Sequence, residues 1–298
     1  MGIMTHILVA VDRSEASEAA LLTAARLARR DEARLTVLHI VDQETARLPW
    51  GRLLGIDPVE AELRVKRERA AEVVTWIAER GIELPRGAVR VEFGWPPRRI
   101  AQVADELRCD QVVVSGGRHT GLGRLLLGST TDRLVRLSHL PVRVVKSAVA
   151  SRARRVLVAV DFDEASSTAL DLGRKAAAAD GAELTVLHCY ADPGEAPPLS
   201  TLDPSEWGRY RTSLRTDADS RLKAFLAASG GEDDVTVILV AGDPATAIVR
   251  HAEAMDADLV VLGHRRHAWE RFLGWTSEHV LRAARCDVVV VPIPALLA

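Results

Sequence analysis

Along residues 1–149, short continuous apolar runs alternate with longer segments in which apolar residues return every three or four positions. ILVAV (7–11) is a continuous apolar run fit for a strand covered on both faces, and LTVLHIV (35–41), VRVEF (89–93), QVVVS (111–115) and VRVVK (142–146) are the further strands expected. Between the first two, Ser14 to Arg30 carries Ala16, Ala19, Ala20 and Leu27 at helical spacing. Ser14 is a candidate N-cap, and Glu15 and Glu18 sit where the helix dipole favours acids. Residues 58–80 predict a long helix that opens on Pro58 and is stopped by Gly81; residues 97–107 and 129–137 predict two more. In residues 150–298 the same order returns, with strands expected at 156–160, 184–189, 235–240, 259–262 and 287–291. Helices are expected there at 166–179, 204–228, 244–255 and 277–284.

The return is a repeat of sequence as well as of pattern. Residues 7–39 align without a gap on residues 156–188, with 18 of the 33 positions identical. A period near half the chain excludes solenoid arrays, whose repeats run to roughly 20–50 residues, and implies two copies of one domain. Strand–helix alternation predicts a parallel sheet with helices on both faces in each copy. The expected fold is therefore α/β: two doubly wound, Rossmann-like domains in tandem, 1–149 and 150–298, joined near SAVASRARR (147–155). In such sheets ligands bind at the carboxyl ends of the strands, where the strand order reverses.

Composition narrows the function classes. No apolar run reaches the roughly 18 residues a membrane span requires, so no membrane partner is expected. The start, MGIMTHILVAVD, has no basic stretch followed by a small-residue cleavage site, and a cytoplasmic location is expected. Cys109, Cys189 and Cys286 are odd in number and far apart, which argues against a disulfide framework and a zinc site; no metal is expected. Residues 1–149 hold 23 Lys and Arg against 19 Asp and Glu, and residues 150–298 hold 16 against 22, so the halves carry +4 and −6. Neither has the basic field that nucleic-acid binding requires.

Candidate chemistry lies at the strand ends. The first strand of each copy ends in an aspartate, Asp12 and Asp161, able to accept from ribose hydroxyls or simply to cap the next helix. The second strand ends at His39–Ile40 and His188–Cys189, where a backbone edge meets a flat ring; the histidines lack an acid–base partner at close spacing and read as structural. After the fourth strand comes SGGRHTGLGRLLLGST (115–130), in which Gly116, Gly117, Gly121 and Gly128 let backbone N–H groups approach an anion and Ser129 adds a hydroxyl. It is not a Walker A loop, since no Gly-Lys-Ser/Thr occurs.

With ILVAVDRSEAS, LTVLHIVD, VEFGWPPRRIAQVADELRCDQVVVSG and LLLGSTTDRLVRLSHLPVRVV, and their counterparts VLVAVDFDEAS, LTVLHCYAD, VAGDPATAIVRHAEAMDADLVVLGHRR and LGWTSEHVLRAARCDVVVVP, the chain resembles the universal stress protein family in tandem form. The resemblance covers nearly all of both halves. It implies a family in which one branch binds ATP through Gly-x-x-Gly, a nine-residue spacer and Gly-Ser/Thr, while another lacks the motif and the ligand. In copy one only the final pair matches, as Gly128–Ser129; Ser115 and Arg118 replace the two glycines of the opening. In copy two Gly263 matches the first glycine, Arg266 replaces the second, the pair reads Gly274–Trp275 and the loop is two residues shorter. Arg118 can pair with phosphate or fill the space, whereas Trp275 removes the hydroxyl and its bulk favours packing.

The expectation is a non-catalytic stress-response protein whose domains pair through their last strands as an intramolecular pseudo-dimer, with degenerate nucleotide loops. Its partners are further proteins, a second chain or a small ligand. The alternatives are an ATP or AMP switch using only copy one (Asp12, Ile40, Gly116, Gly117, Arg118, Gly121, Gly128, Ser129) and a weak ATP hydrolase. The equivalent set in copy two (Asp161, Cys189, Gly263, Arg266, Gly274) is expected to be degenerate, or reused for an apolar or anionic metabolite. Six tryptophans, most of them beside loops, would line a pocket or cover the sheet ends.

Overall fold

A computed structural model describes residues 4–42, 57–117, 128–147, 152–191, 204–231, 235–264 and 274–293. The chain divides into two compact units, Met1–Ser151 and Arg152–Ala298. In unit one the order is β1 (His6–Ala10), α1 (Glu15–Arg30), β2 (Arg34–Val41), α2 (Pro58–Ala78), β3 (Val89–Phe93), α3 (Pro96–Glu106), β4 (Gln111–Ser115), α4 (Ser129–Leu137) and β5 (Val142–Val145). Unit two repeats it: β6 (Arg155–Val160), α5 (Glu164–Asp180), β7 (Glu183–Tyr190), α6 (Pro204–Ala228), β8 (Thr236–Ala241), α7 (Pro244–Ala254), β9 (Leu259–His264), α8 (Trp275–Ala283) and β10 (Asp287–Pro292).

Each unit folds on a parallel five-stranded sheet, ordered β3-β2-β1-β4-β5 in the first and β8-β7-β6-β9-β10 in the second. The strand order therefore reverses beside β1 and beside β6. The apolar runs are strands because both faces are covered: Ile7, Leu8 and Val9 are fully buried. Ile7 and Val9 face Ala20, Leu21, Ala24 and Leu27 of α1 and Val73 and Ile77 of α2. In unit two Val156 and Val158 meet Ala169 and Leu170 of α5 and Leu222 and Leu226 of α6. A fully buried leucine contributes about 1.5–3 kcal/mol, so this central layer is the rigid platform. In each unit the other helix pair, α3 with α4 and α7 with α8, packs as a second layer.

Helix starts are built from local side chains. Ser14 Oγ accepts from the Ser17 N–H at 3.2 Å, and Asp163 Oδ1 accepts from the Ser166 N–H at 2.7 Å. At the amino edge of the sheets a carboxylate ties two strands together: Asp110 Oδ2 accepts from the His6 N–H at 2.8 Å, and Asp258 Oδ2 accepts from the Arg154 N–H at 2.7 Å. The opposite, carboxyl edge is left for the loops. No described helix is long and apolar enough to cross a membrane.

Candidate functional site

Register shows what the carboxyl edge brings together. Ala10 pairs with Leu38 and Val9 with Val113, so two or three residues further on Asp12, Ile40 and Gly116 stand level across the switch point of unit one. In unit two Val160 pairs with His188 and Ala159 with Leu262, which sets Asp161, Cys189 and His264 level. The repeated histidines hold these ends in place. His39 Nδ1 donates to the Val11 carbonyl at 2.9 Å and His188 Nδ1 to the Val160 carbonyl at 2.8 Å, each the residue just before the aspartate. Burial and the nearby Arg221 push the His188 pKa down against the pull of that carbonyl, so the ring is a neutral donor.

The two aspartates are fastened from equivalent positions. Asp12 Oδ1 accepts from the Ser14 N–H at 3.0 Å. Burial opposes its ionisation, but hydrogen bonds from Ser14 and Ser17 outweigh it and hold the carboxyl below its ordinary value. Asp161 Oδ1 accepts from the Asp163 N–H at 3.4 Å and from the Ser166 hydroxyl at 2.7 Å, while the Asp161 N–H donates to Ser166 Oγ at 2.9 Å. Sequence reasoning missed Ser17 and Ser166; the shared spacing VD-x-x-E-A-S was the available signal.

Of the glycine-loop residues, Gly116, Gly117 and Gly128 cluster. Gly116 N–H donates to the Val145 carbonyl at 2.7 Å and the Gly128 N–H to the Gly116 carbonyl at 3.2 Å, and Gly117 takes φ +114°, a conformation glycine adopts freely. Thr131 Oγ1 donates to the Ser115 carbonyl at 2.8 Å, tying α4 to the end of β4. Gly128 is the N-cap of α4 and makes no side-chain cap bond; Ser129 follows it, exposed. Arg118, Gly121 and Arg266 lie outside the described residues.

In unit two Gly263 and Gly274 occupy the corresponding strand end and helix cap. A Cβ on Gly263 would stand 2.8 Å from Ala165 Cβ, so glycine is required there by the approach of α5. Trp275, expected to pack, is 73% exposed, with its ring 5.7 Å from that of His279. The first residue of α8 projects outward from the helix start, and nothing in the described residues covers it. Trp95 is half-exposed beneath the Arg133 guanidinium, whereas Trp76 is buried on its helix face.

A cavity of about 130 Å³ opens at this end of unit two. Val160, Leu187, Ile248 and Leu262 form apolar walls, and Asp161, Ser166, Cys189 and Thr276 supply the polar atoms. Burial, reinforced by Asp243, pushes the Cys189 thiol up to about 11, which keeps it protonated and a poor nucleophile.

A repeat of one α/β domain with aligned strand-end aspartates and a strand–glycine–helix junction in each copy defines a recognisable architecture. The universal stress protein family profile matches residues 4–146 and again 152–292. The chain belongs to the universal stress protein family. A universal stress protein of Mycolicibacterium smegmatis is 30% identical over 96% of this chain and 96% of its own length. One from Mycobacterium tuberculosis strain H37Rv is 29% identical over 95% and 96%. The crystal structure of a universal stress protein from Archaeoglobus fulgidus superposes with a TM-score of 0.69 at 23% identity, covering 96% of this chain and 98% of that one, which shows the shared fold.

Proposed function

We propose that this tandem universal stress protein is a non-catalytic regulatory protein of the stress response whose nucleotide loops have degenerated. Its domains pair as an intramolecular pseudo-dimer, and it acts in the cytoplasm on protein partners, a second chain or a small ligand. The observation that carries the reading is Gly263. The one glycine of copy two that keeps the opening position of the ATP motif serves the packing of Ala165, and Trp275 stands where the motif requires a hydroxyl. In copy one the opening position is Ser115, whose carbonyl is engaged by Thr131. The apolar last strands VRVV and DVVVVP support pairing, because an open edge of that composition invites aggregation.

A second reading has its own support: an ATP or AMP switch confined to unit one. Asp12 is held ionised level with Ile40 and Gly116, and Gly128–Ser129 retain the end of the motif. A weak ATP hydrolase is the third. Calorimetric titration of the nucleotide-stripped protein with ATP, with and without magnesium, separates them. No saturable binding is the expected outcome. Binding at one site per chain, weakened by both Asp12→Ala and Ser129→Ala, would overturn the proposal in favour of the switch, and phosphate release on top of it would favour the hydrolase.

A further inference from the structure

We infer that the cavity of unit two is a binding site for a small, single-ring or branched apolar molecule carrying a hydrogen-bond donor, preferably an ammonium group, and no phosphate. The inference rests on the reading of copy two as having lost its phosphate loop.

Size comes first. At about 130 Å³ the chamber is near the scale of the ~150 Å³ cavity that holds a benzene ring. One ring or a short branched chain fills its inner part, which opens to solvent on one side. The walls set the body of the ligand: Val160, Leu187, Ile248 and Leu262 offer dispersion contacts and no hydrogen bonds from their side chains.

The polar wall sets the sign of the charge. Among the described residues, the hydrogen bonds to the Asp161 carboxylate converge on Oδ1, from the Ser166 hydroxyl at 2.7 Å and the Asp163 N–H at 3.4 Å. Oδ2 takes none of these bonds and, on an exposed side chain at the mouth of the cavity, is open as an acceptor. The Ser166 hydroxyl is spent on that carboxylate, so its proton is not offered to an incoming anion. A second carboxylate, Asp243, acts electrostatically on Cys189, which lines the same chamber, although Arg250 opposes it there. An anionic metabolite would thus meet a fixed carboxylate at the polar end, while an amine or alcohol would meet its complement.

Cys189 provides a reporter inside the chamber, and Cys109, which is buried, serves as an internal reference. Because the Cys189 thiol is held protonated, the full-length protein is treated with excess methyl methanethiosulfonate at about pH 9 over an extended time course, and the labelling rate of each cysteine is read by peptide mass spectrometry. Benzylamine, benzyl alcohol and benzoate share one apolar body and differ only in the polar group. Benzylamine is expected to protect Cys189 at concentrations about tenfold lower than benzoate, with benzyl alcohol between them. Asp161→Asn, which keeps the shape and an acceptor for Ser166, is expected to remove the advantage of the amine over the alcohol. Ile248→Trp, which fills the chamber, is expected to abolish protection by all three.

Benzoate protecting as well as benzylamine would overturn the inference, as would an amine preference that survives Asp161→Asn. If no probe protects and ATP is also inert, the inference alone fails. Protection by ATP would overturn the reading of a degenerate second loop as well.

Discussion

The two units meet the same backbone demand with opposite chemistry. The residue after each strand-end aspartate lies in the left-handed region, Arg13 at φ +62° and Phe162 at φ +69°, although neither is glycine. Such a conformation costs about 1–2 kcal/mol and persists only where side chains hold it. In unit one Arg13 reaches across to α2 and pairs with Glu72 at 2.7 Å. In unit two Phe162 stacks on His188 at 4.1 Å and Phe225 at 5.6 Å, with the Arg221 guanidinium 5.0 Å from its ring centroid. Glu72 and Arg221 occupy equivalent turns, just before the buried Val73 and Leu222. One copy therefore clamps its site loop with an exposed ion pair, the other with a half-buried aromatic cluster.

The third strands contrast in the same sense, charged in unit one and uncharged in unit two. Glu92 on β3 is approached by Arg90 at 2.6 Å, Lys66 at 3.3 Å and Arg99 at 3.4 Å, with its side chain only 14% exposed. The position in β8 that corresponds is Val240, in a strand without charge. Unit one thus relies on charge at both places, where unit two has ring contacts at the first and an uncharged strand at the second. That difference predicts how each responds to truncation, acid and salt.

The largest effect is expected from Phe162→Ala. It removes a ring packed against three partners while leaving a Cβ in the left-handed conformation, and should destabilise unit two by about 2–3 kcal/mol. Hydrogen exchange of the β6 and β7 amides, read by mass spectrometry, should speed up while that of β1 and β2 does not. Equal acceleration in both units would show that the clamp is not local.

Next comes Glu92→Gln, expected to cost unit one about 1–3 kcal/mol by leaving Lys66, Arg90 and Arg99 facing one another without their carboxylate. Burial raises the Glu92 pKa, but the hydrogen bond from Arg90 and the charges of Lys66 and Arg90 outweigh it and hold it below 4.5. A depressed folded-state pKa means that this stabilisation is present above the unfolded value and is lost as the pH falls through the folded one. Acid should therefore loosen β3 below about pH 4.5 in the wild type, and Glu92→Gln should remove that part of the pH dependence. An unchanged acid profile in the variant would assign the loss to other carboxylates.

Much of the fold was legible in the chain because burial on both faces leaves a plain mark: QVVVS could be little else than a strand, and it is one, while the alternating VRVEF forms the half-buried edge strand. The helix expected over 58–80 stops at Ala78, two residues early, because Gly81 takes φ +66° and the backbone leaves the helix before it. The site was legible only in part. A glycine in motif register looks the same whether phosphate or Ala165 lies beside it, and only the approach of α5 tells which. The cavity draws on strand ends, a helix start and a helix cap far apart in sequence, so no spacing announces it. Left-handed arginine and phenylalanine carry no local signature either, since tertiary contacts impose the conformation.

The smallest effect, and the finest test of the contrast, is at Arg13. Both members of its ion pair are substantially exposed, with 34% and 40% of their side chains accessible, so the attraction is weak and screened by salt. Arg13→Gly gives up that attraction but releases the left-handed strain, a relief of about 1 kcal/mol. The two terms oppose each other, and salt acts on only one of them. At low ionic strength the variant should unfold close to the wild type, and as salt weakens the pair in the wild type it should become the more stable of the two. Phe162→Gly releases the same strain but loses ring contacts to His188 and Phe225 that salt does not screen, so it should remain below the wild type throughout. Denaturant unfolding of both variants across a salt series, followed by hydrogen exchange in β1 and β6, reads the crossing directly. A crossing in both units, or in neither, would mean that the two clamps work by the same physics after all.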